Sequence, residues 1–493
     1  MHALIIAEST PKLMKLAAFA RTTAPTYHWR TGTTGPFSVT IERFDTKTQQ
    51  PRLKVRHRIQ LNRILALAAD VDAVFIATDP TARGERLAAD LADQLLARYP
   101  DVQIKRLRLK SLAHQAFSSE FAISRTINRR EAESARVAQV LNFLVSKRTE
   151  VLVGRPVGRS VLPLLSRLSE LERPGLSRIR VRLAGGLEFL SQFGPTERMA
   201  FVLERLGESV PVFTVSQVKR QFLPPVRYDM LRLQQDGCRI LGARSMEVAS
   251  QFERLYCGGY VGRDESVDRT YGEHAAAELR AFGDEPGLLS DSVEQAIVPV
   301  RLSCLPSDVP KLVRPVYRLI WANTLCSFAR PMDVQVEQAS FVIDDIRFDA
   351  QSVIPLSSGF DHVSFGLFYR RGGIDKCRTI EEARMFGGGP FESELLERLD
   401  VPLRNPAVTL KAAENAGYIG FDGIEVALLD RGRDVLDRIG RQMPQLLDGR
   451  MFAQTERYIE SNEHDVRELL GPWSWWADEA ARAVKRKNVA YLR

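Results

Sequence analysis

The stretch "IATDPTARGE" at residues 76–85 decides how the first quarter of this chain is read. It continues the apolar run Ala73–Ala77, a short buried strand, and Pro80 and Gly84 then punctuate the handover to an amphipathic helix over Gly84–Arg98. An acidic residue at such a strand end is the ordinary place for a divalent cation. That ion needs two or more carboxylates to balance it. Here only Asp79 and Glu85 remain, with Glu85 already inside the helix start, while Thr81 and Arg83 stand between them. Arg83 can pair with Asp79 or neutralise a phosphate oxygen itself. A plain structural Asp–Arg pair at a helix start is the competing reading.

Working outward, Ala3–Ala7 reads as a second buried strand and Val102–Leu109 as a third, with helices over Lys12–Arg21 and Ile59–Ala69. Strands alternating with helices predict an α/β unit with a parallel sheet. Beyond it, 125–175 is helix-rich and 178–220 is mixed. Helical patterns dominate 240–330, including Ser245–Leu255 and Val316–Phe328. Residues 338–372 turn β-like, "FGGGP" at 386–390 marks a loop, and the tail from 391 is helical again. The fold class is therefore α/β plus mixed α+β, in several domains. The late return of mixed segments predicts discontinuous domains.

Composition narrows the partners. The 493 residues carry 69 basic and 61 acidic side chains, a net charge of +8, with 44% hydrophobic residues. A modest basic excess suits a polyanion such as nucleic acid, and equally an ordinary basic enzyme. Cysteines 238, 257, 304, 326 and 377 form no CxxC pair, which argues against a zinc ribbon or a disulfide framework and for a reducing, cytoplasmic setting. The first residues, MHALIIAEST, are too short an apolar core for a signal peptide, and no apolar run reaches membrane-spanning length.

Three further segments carry chemistry-bearing residues. "LIIAESTPK" (4–12) ends a strand with Glu8 and sets Lys12 four residues on. At the carboxyl end of a parallel strand, Glu8 can trade a proton and Lys12 can face a phosphate. A helix cap and a solvated lysine are the plainer alternative. "MEVASQFERLYCGGYVGRDES" (246–266) is a helix, two glycines, then Tyr260 with Arg263 and Asp264 close behind. Gly258 and Gly259 would free the backbone so that Tyr260 projects from a loop. A tyrosine hydroxyl can attack a phosphodiester, given nearby positive charge for the transition state. A tyrosine packed at a helix end is the alternative. "GRPVGRS" (154–160) is a basic loop that could touch phosphates through Arg159, or be merely solvated.

In order, these segments resemble the motifs of the type IA DNA topoisomerases. "LIIAESTPK" is similar to that family's VESPAK, "ATDPTARGE" to ATDPDREGE, and "LRLKSLAHQAF" (107–117) to FNEITKKAI. "VGRSVL" is similar to AGRVQS, and "MEVASQFERLYCGGYVGRDES" to MQVAQKLYEEGLITYMRTDS, with the same spacing from Met to Tyr. "VYRLIW" (316–321) is similar to LYQLIW, "GYIGFDGIEVALLDRGRDVL" to the GYV…LTPTELG stretch, and "RMFAQTERYIE" to the FTAQME segment. Collinearity from residue 4 to about 460 is what makes the resemblance specific. It also departs from the pattern. Asp79 matches the first acid of DxDxE, but Thr81 and Arg83 replace the other two, and Ala82 replaces the basic residue of that motif. In YMRTDS the arginine falls on Gly262, with Arg263 one place late. In HEAIRP the histidine falls on Glu294 and the arginine on Val298. The GRPST arginine falls on Arg404, and the zinc-binding extensions common in the family have no counterpart.

The resemblance implies a toroid: a Toprim domain at 1–124, a single-strand-DNA-binding helical domain from 125–176 and 403–493, a β-rich arch from 177–220 and 332–402, and a helical domain at 221–331 carrying Tyr260. It implies ATP-independent cleavage of one strand through a 5′-phosphotyrosine on Tyr260, strand passage and resealing, so that negatively supercoiled DNA relaxes. Glu8 would manage the proton on the 3′ oxygen, Lys12 and Arg263 would serve the scissile phosphate, and Arg83, Arg159 and Arg404 would contact DNA. Mg²⁺ belongs to the family's chemistry. Asp79 as sole remaining triad acid predicts weak or absent metal dependence, with Arg83 supplying the missing charge, no zinc and no ATP. Expected partners are single-stranded and negatively supercoiled DNA, with no membrane, and the chain is expected to be a monomer. A catalytically silent relative that binds single strands or docks on a partner is the rival expectation. Intact Glu8, Lys12 and Tyr260 weigh against it.

Overall fold

The computed structural model describes residues 1–461 apart from 46–47, 49, 265–268, 285, 288–295, 358, 365–366, 369–373, 375–377, 400–402 and 404. Its amino-terminal strands are β1 (His2–Ala7), β2 (His28–Thr33), β3 (Ser38–Asp45), β4 (Gln50–Arg56), β5 (Ala73–Ala77) and β6 (Gln103–Arg106). The helices there are α1 (Thr10–Thr23), α2 (Arg58–Ala68), α3 (Ala82–Arg98), α4 (His114–Ile123) and α5 (Arg129–Val153). Strands β2, β1, β5 and β6 form, in that order, a fully parallel sheet. Parallel strands covered on both faces read as continuous apolar runs. Accordingly Ala3, Ile5 and Ala7 of β1 enter one core while Leu4 and Ile6 enter another, and β5 divides likewise.

Two expectations change. The third strand is shorter than Val102–Leu109, because Arg106 turns inward and the chain after it leaves the sheet. The segment between β2 and α2 is also structured, as an antiparallel ribbon of β3 and β4 that no periodicity singled out.

Past the sheet, Asn128 caps α5 by accepting from the Glu131 amide at 3.1 Å, and Gly154 ends the helix with φ 78°. Helix α5 and the helix Val161–Leu171 share a core with Pro406–Asn415, Asp430–Gln442 and Gly449–Ser461, far along the chain. An antiparallel sheet draws its strands from two separated stretches, Leu176–Leu183, Glu188–Ser191, Gly194–Pro195 and Thr214–Phe222 with Met332–Ile343, Ile346–Pro355 and Ile380–Phe386. Helix Thr196–Leu206 covers one side of it. The 386–390 loop is pressed between neighbours. The Gly387 and Gly389 amides donate to Glu425 at 2.9 and 2.8 Å, and a Cβ on Gly388 would lie 2.0 Å from the Arg173 carbonyl. The helices Met230–Leu241, Ser245–Gly258 and Arg314–Cys326 form the layer against the parallel sheet.

Candidate active site

Strands β1 and β5 lie in register, Ala7 opposite Ala77, so the residues just beyond them meet at the carboxyl edge of the sheet. Glu8 follows one strand and Asp79 the other, and the Asp79 amide donates to Glu8 Oε1 at 3.2 Å. Helix α1 starts immediately after Glu8, with Pro11 in its first turn, and brings Lys12 back across the edge. The Lys12 ammonium is 3% exposed and bonds Asp79 Oδ1 at 2.8 Å. Burial alone would raise the Asp79 carboxyl. Lys12, the hydrogen bond with Glu8 and the Arg263 guanidinium outweigh it and hold Asp79 down at about 2. Glu8 goes the other way. Burial, then the hydrogen bond and like charge of Asp79, push it up to about 7. The two carboxyls thus share one proton near neutrality, and Glu8 is the one that keeps it.

The turn that carries Asp79 is fixed from behind. Thr81 accepts from the Gly84 amide at 3.2 Å and caps α3, the Thr78 hydroxyl donates to the Gly84 carbonyl at 2.8 Å, and a Cβ on Gly84 would fall 2.0 Å from the Asp79 carbonyl. Thr81, which stands in the place of an acid, therefore serves the helix. Glu85 is buried and bonds Arg106 at 2.8 Å, and Arg106 also donates to the carbonyls of Ile76, Thr78 and Asp79 at 3.2, 3.0 and 2.8 Å. Arg106 is a positioning residue that the sequence hides, since Lys105, Arg106, Arg108 and Lys110 form one basic run in which only the packing selects the buried member.

Arg83 does not pair with Asp79. It is exposed on α3, and the charge that meets Asp79 comes from Lys12 and Arg263. The cause is the Thr81 cap, which begins α3 past Asp79 and carries Arg83 outward. Arg159 is likewise engaged elsewhere: it pairs with Glu456 and lies over the Phe452 ring at 4.9 Å, which ties the start of Val161–Leu171 to Gly449–Ser461. Arg404 and Glu294 lie outside the described residues. Val298 is buried opposite Gly262 in a two-stranded ladder.

The Tyr260 segment is docked on this edge. Helix Ser245–Gly258 ends in a Schellman-type turn, in which Gly259 has φ 75° and the Tyr260 amide donates to the Leu255 carbonyl at 3.0 Å. A Cβ on Gly259 would lie 2.6 Å from the Leu112 carbonyl and 2.8 Å from Lys15 Nζ, so the position needs glycine for both conformation and contact. Lys15, from α1, donates to the Cys257 and Gly258 carbonyls at 3.2 and 2.5 Å. Strand Val261–Asp264 then lies along the 107–112 segment, with Ser111 bridging Gly262 and the Arg263 amide donating to the Lys110 carbonyl at 2.9 Å. A Cβ on Gly262 would sit 2.9 Å from Ser111 Cβ. That contact explains why the arginine comes one place late: position 262 has no room, and Arg263 supplies the guanidinium that acts on Asp79. Tyr260 does not project freely. It is half-buried, its ring folds over Gly258, and it meets Tyr317 edge-on at 6.4 Å. Its hydroxyl makes no hydrogen bond to a described residue.

The donor set does not fit a divalent cation. Asp79 already faces an ammonium and a guanidinium, Glu8 holds a proton, and Glu85 is committed to Arg106. Among the described residues no group of three or more His, Cys, Asp or Glu side chains is placed to hold a metal ion. No helix among them is long and apolar enough to cross a membrane.

A parallel sheet with an acid–lysine edge, a tyrosine-bearing strand docked beside that edge and a separate antiparallel sheet together make a fold of the type I topoisomerase kind. The structure of full-length topoisomerase I from Thermotoga maritima superposes with a TM-score of 0.66 at 17% identity, over 97% of this chain and 90% of that one. In sequence the chain is similar to DNA topoisomerase 1 of Mycoplasmoides gallisepticum, 23% identical over 376 residues, covering 62% of this chain and 52% of that protein. It is also similar to DNA topoisomerase 1 of Mycoplasma genitalium, 22% identical over 405 residues, covering 64% and 56%. The chain thus spans about half the length of these curated relatives. No protein-family profile matches it.

Proposed function

We propose that this chain is a type IA topoisomerase-like enzyme that cleaves and reseals one DNA strand through Tyr260 without ATP and without a resident metal ion. The observation that supports this best is the docking of the Tyr260–Arg263 segment on the sheet edge that holds Glu8, Lys12 and Asp79. The phenolic oxygen attacks the phosphorus, forming the Tyr260–phosphorus bond and breaking the bond to the 3′ oxygen. The phenolic proton passes to water, and Glu8, protonated up to about pH 7, gives its proton to the departing 3′ oxygen. Resealing runs the same steps backwards, with Glu8 as base. Lys12 and Asp79 neutralise each other, so Arg263 is left to offset the charge that builds on the phosphate. The substrates are single-stranded DNA and negatively supercoiled DNA. The ester conserves the bond energy, so the cycle consumes no nucleotide.

Trapping tests the reading. A 5′-labelled or 3′-labelled oligonucleotide is mixed with protein, denatured and run for DNA fixed to the chain. The expected result is an adduct with the 3′-labelled fragment that Tyr260→Phe abolishes while oligonucleotide binding is kept, formed equally with chelator present. An adduct that survives in Tyr260→Phe, or none with the unaltered chain, overturns the proposal and leaves a silent single-strand-binding relative.

A further inference from the structure

The ribbon of β3 and β4 has no part in the chemistry above, yet its two faces are sharply different. Val39 and Ile41 are buried, and with Val55 they pack into the cores beneath, where β3 meets α3 and α5. The other face carries Arg52, Lys54 and Arg56 at alternate positions of β4, all exposed, opposite Arg43, Thr40 and Ser38 of β3. Arg52 is 77% exposed and lies directly across from Arg43. Like charges in directly opposed positions destabilise a ladder. Glu42, set by the irregularity between Ile41 and Arg43, reaches Lys54 at 3.0 Å and Arg52 at 3.4 Å, and Arg56 also acts on its charge. Among the described residues Arg43 and Arg56 have no carboxylate at ion-pair distance, and the Arg56 guanidinium donates only to Thr40 at 3.1 Å. With Glu42 and Asp45 the acids of β3 against Arg43, Arg52, Lys54 and Arg56, the face keeps a net positive stripe.

We propose that this ribbon is a second nucleic-acid contact, which grips the backbone of duplex DNA through Arg43, Arg52, Lys54 and Arg56. It rests on the topoisomerase-like reading for the class of polymer. Alternate residues of a strand stand about 6.8 Å apart. That is on the scale of a single phosphate step along a nucleic-acid backbone, and a duplex presents one charge for about every 1.7 Å of its axis. The stripe exposes no aromatic ring: Phe44 of β3 is buried. Single-strand sites pair their cations with rings on which unstacked bases lie. A ringless line of cations on a two-stranded ribbon reads a regular backbone instead, which fits the duplex that flanks a cleaved strand.

The test uses the full chain and two probes, a blunt duplex and a single-stranded oligonucleotide, with anisotropy measured over a salt series. The variant is Arg43→Gln/Arg52→Gln/Lys54→Gln/Arg56→Gln, and Arg43→Lys/Arg52→Lys/Arg56→Lys keeps the charges as a control. The expected result is a Kd for the duplex at least tenfold weaker in the glutamine variant. The slope of log K against log salt should fall by up to about 3.6, at roughly 0.9 for each of the four phosphates no longer neutralised. The lysine control should match the parent chain, and the single-strand adduct through Tyr260 should form as before. Unchanged duplex affinity and slope would make the stripe a solvated face and overturn the proposal. Equal weakening on both probes would place it on the single-strand path and overturn it too. Absence of any adduct in the parent chain would instead sink the tyrosine reading, and the duplex arm would still judge the ribbon.

Discussion

At the scale of the residue, the pair that matters is Glu8 and Asp79, whose carboxyls are driven to about 7 and about 2. Glu8 is raised, so the unfolded chain gives up this proton before the folded one does. Its contribution to stability is complete below about pH 4.5 and is lost as pH rises through 7. Asp79 is lowered, so its contribution is present above about pH 3.8 and is lost as pH falls toward 2. Asp79→Asn removes a hydrogen bond and a like charge from Glu8. The expected outcome is a Glu8 pKa below 7 yet still above 4.5, because burial remains, as read by carbon NMR of the labelled carboxyl. In turnover, Glu8→Gln deletes the proton donor, with general acid catalysis worth roughly 10²–10⁴. The ratio of parent to Glu8→Gln cleavage rates should be largest below pH 7 and shrink above it. A ratio flat with pH would remove Glu8 from proton transfer. Glu8 and Asp79 were legible in the sequence because each follows within two residues of an unbroken apolar run. The partner of Asp79 was not. Lys12 and Arg83 are both a few residues from a strand end, and only the start of each helix decides which cation turns in and which turns out.

At the scale of the element, the turn between β5 and α3 is held by Arg106, whose buried guanidinium serves Glu85 and the carbonyls of Ile76, Thr78, Asp79 and Leu107. Removing one partner of a buried ion pair costs about 3–5 kcal/mol. Arg106→Leu should therefore lower the unfolding free energy by an amount of that order in urea titration, and loosen Asp79 with it. At the other side of the site, Gly259→Ala forces a left-handed backbone on a residue with a Cβ, at about 1–2 kcal/mol, before the clash with Leu112 is added. Such a variant should form adduct more slowly than the parent chain and melt at a lower temperature. The helix of this element and its paired glycines were readable from spacing. The reason for each glycine was not, since Gly258 gives room to a ring, Gly259 gives φ and close approach, and Gly262 gives way to Ser111.

At the scale of the whole molecule, segments about 150 and more residues apart are brought together. The Tyr256 hydroxyl donates to the Leu109 carbonyl at 2.9 Å, Arg263 to Lys110, and Lys15 reaches across to Cys257 and Gly258. Lys15→Met should raise hydrogen exchange at the amides of 259–263 by several-fold while those of β1 and β5 keep their protection. Unchanged exchange at 259–263 would show that Lys15 does not hold the seam. Such long-range partners leave no periodic trace, which is why Lys15 and Arg106 were invisible while the alternation of buried strands and helices was plain; the β3–β4 ribbon is local, but its irregularity between Ile41 and Arg43 breaks the period-two pattern.

That seam has a consequence for how the protein answers to its medium. Apart from the pull of Arg263 on Asp79, its described contacts join backbone carbonyls to amides, a hydroxyl and one ammonium rather than opposite full charges. Water can replace each of them on parting, and dissolved ions screen them little. If the proposed function holds, rising ionic strength should weaken the hold on a polyanion well before it parts this seam.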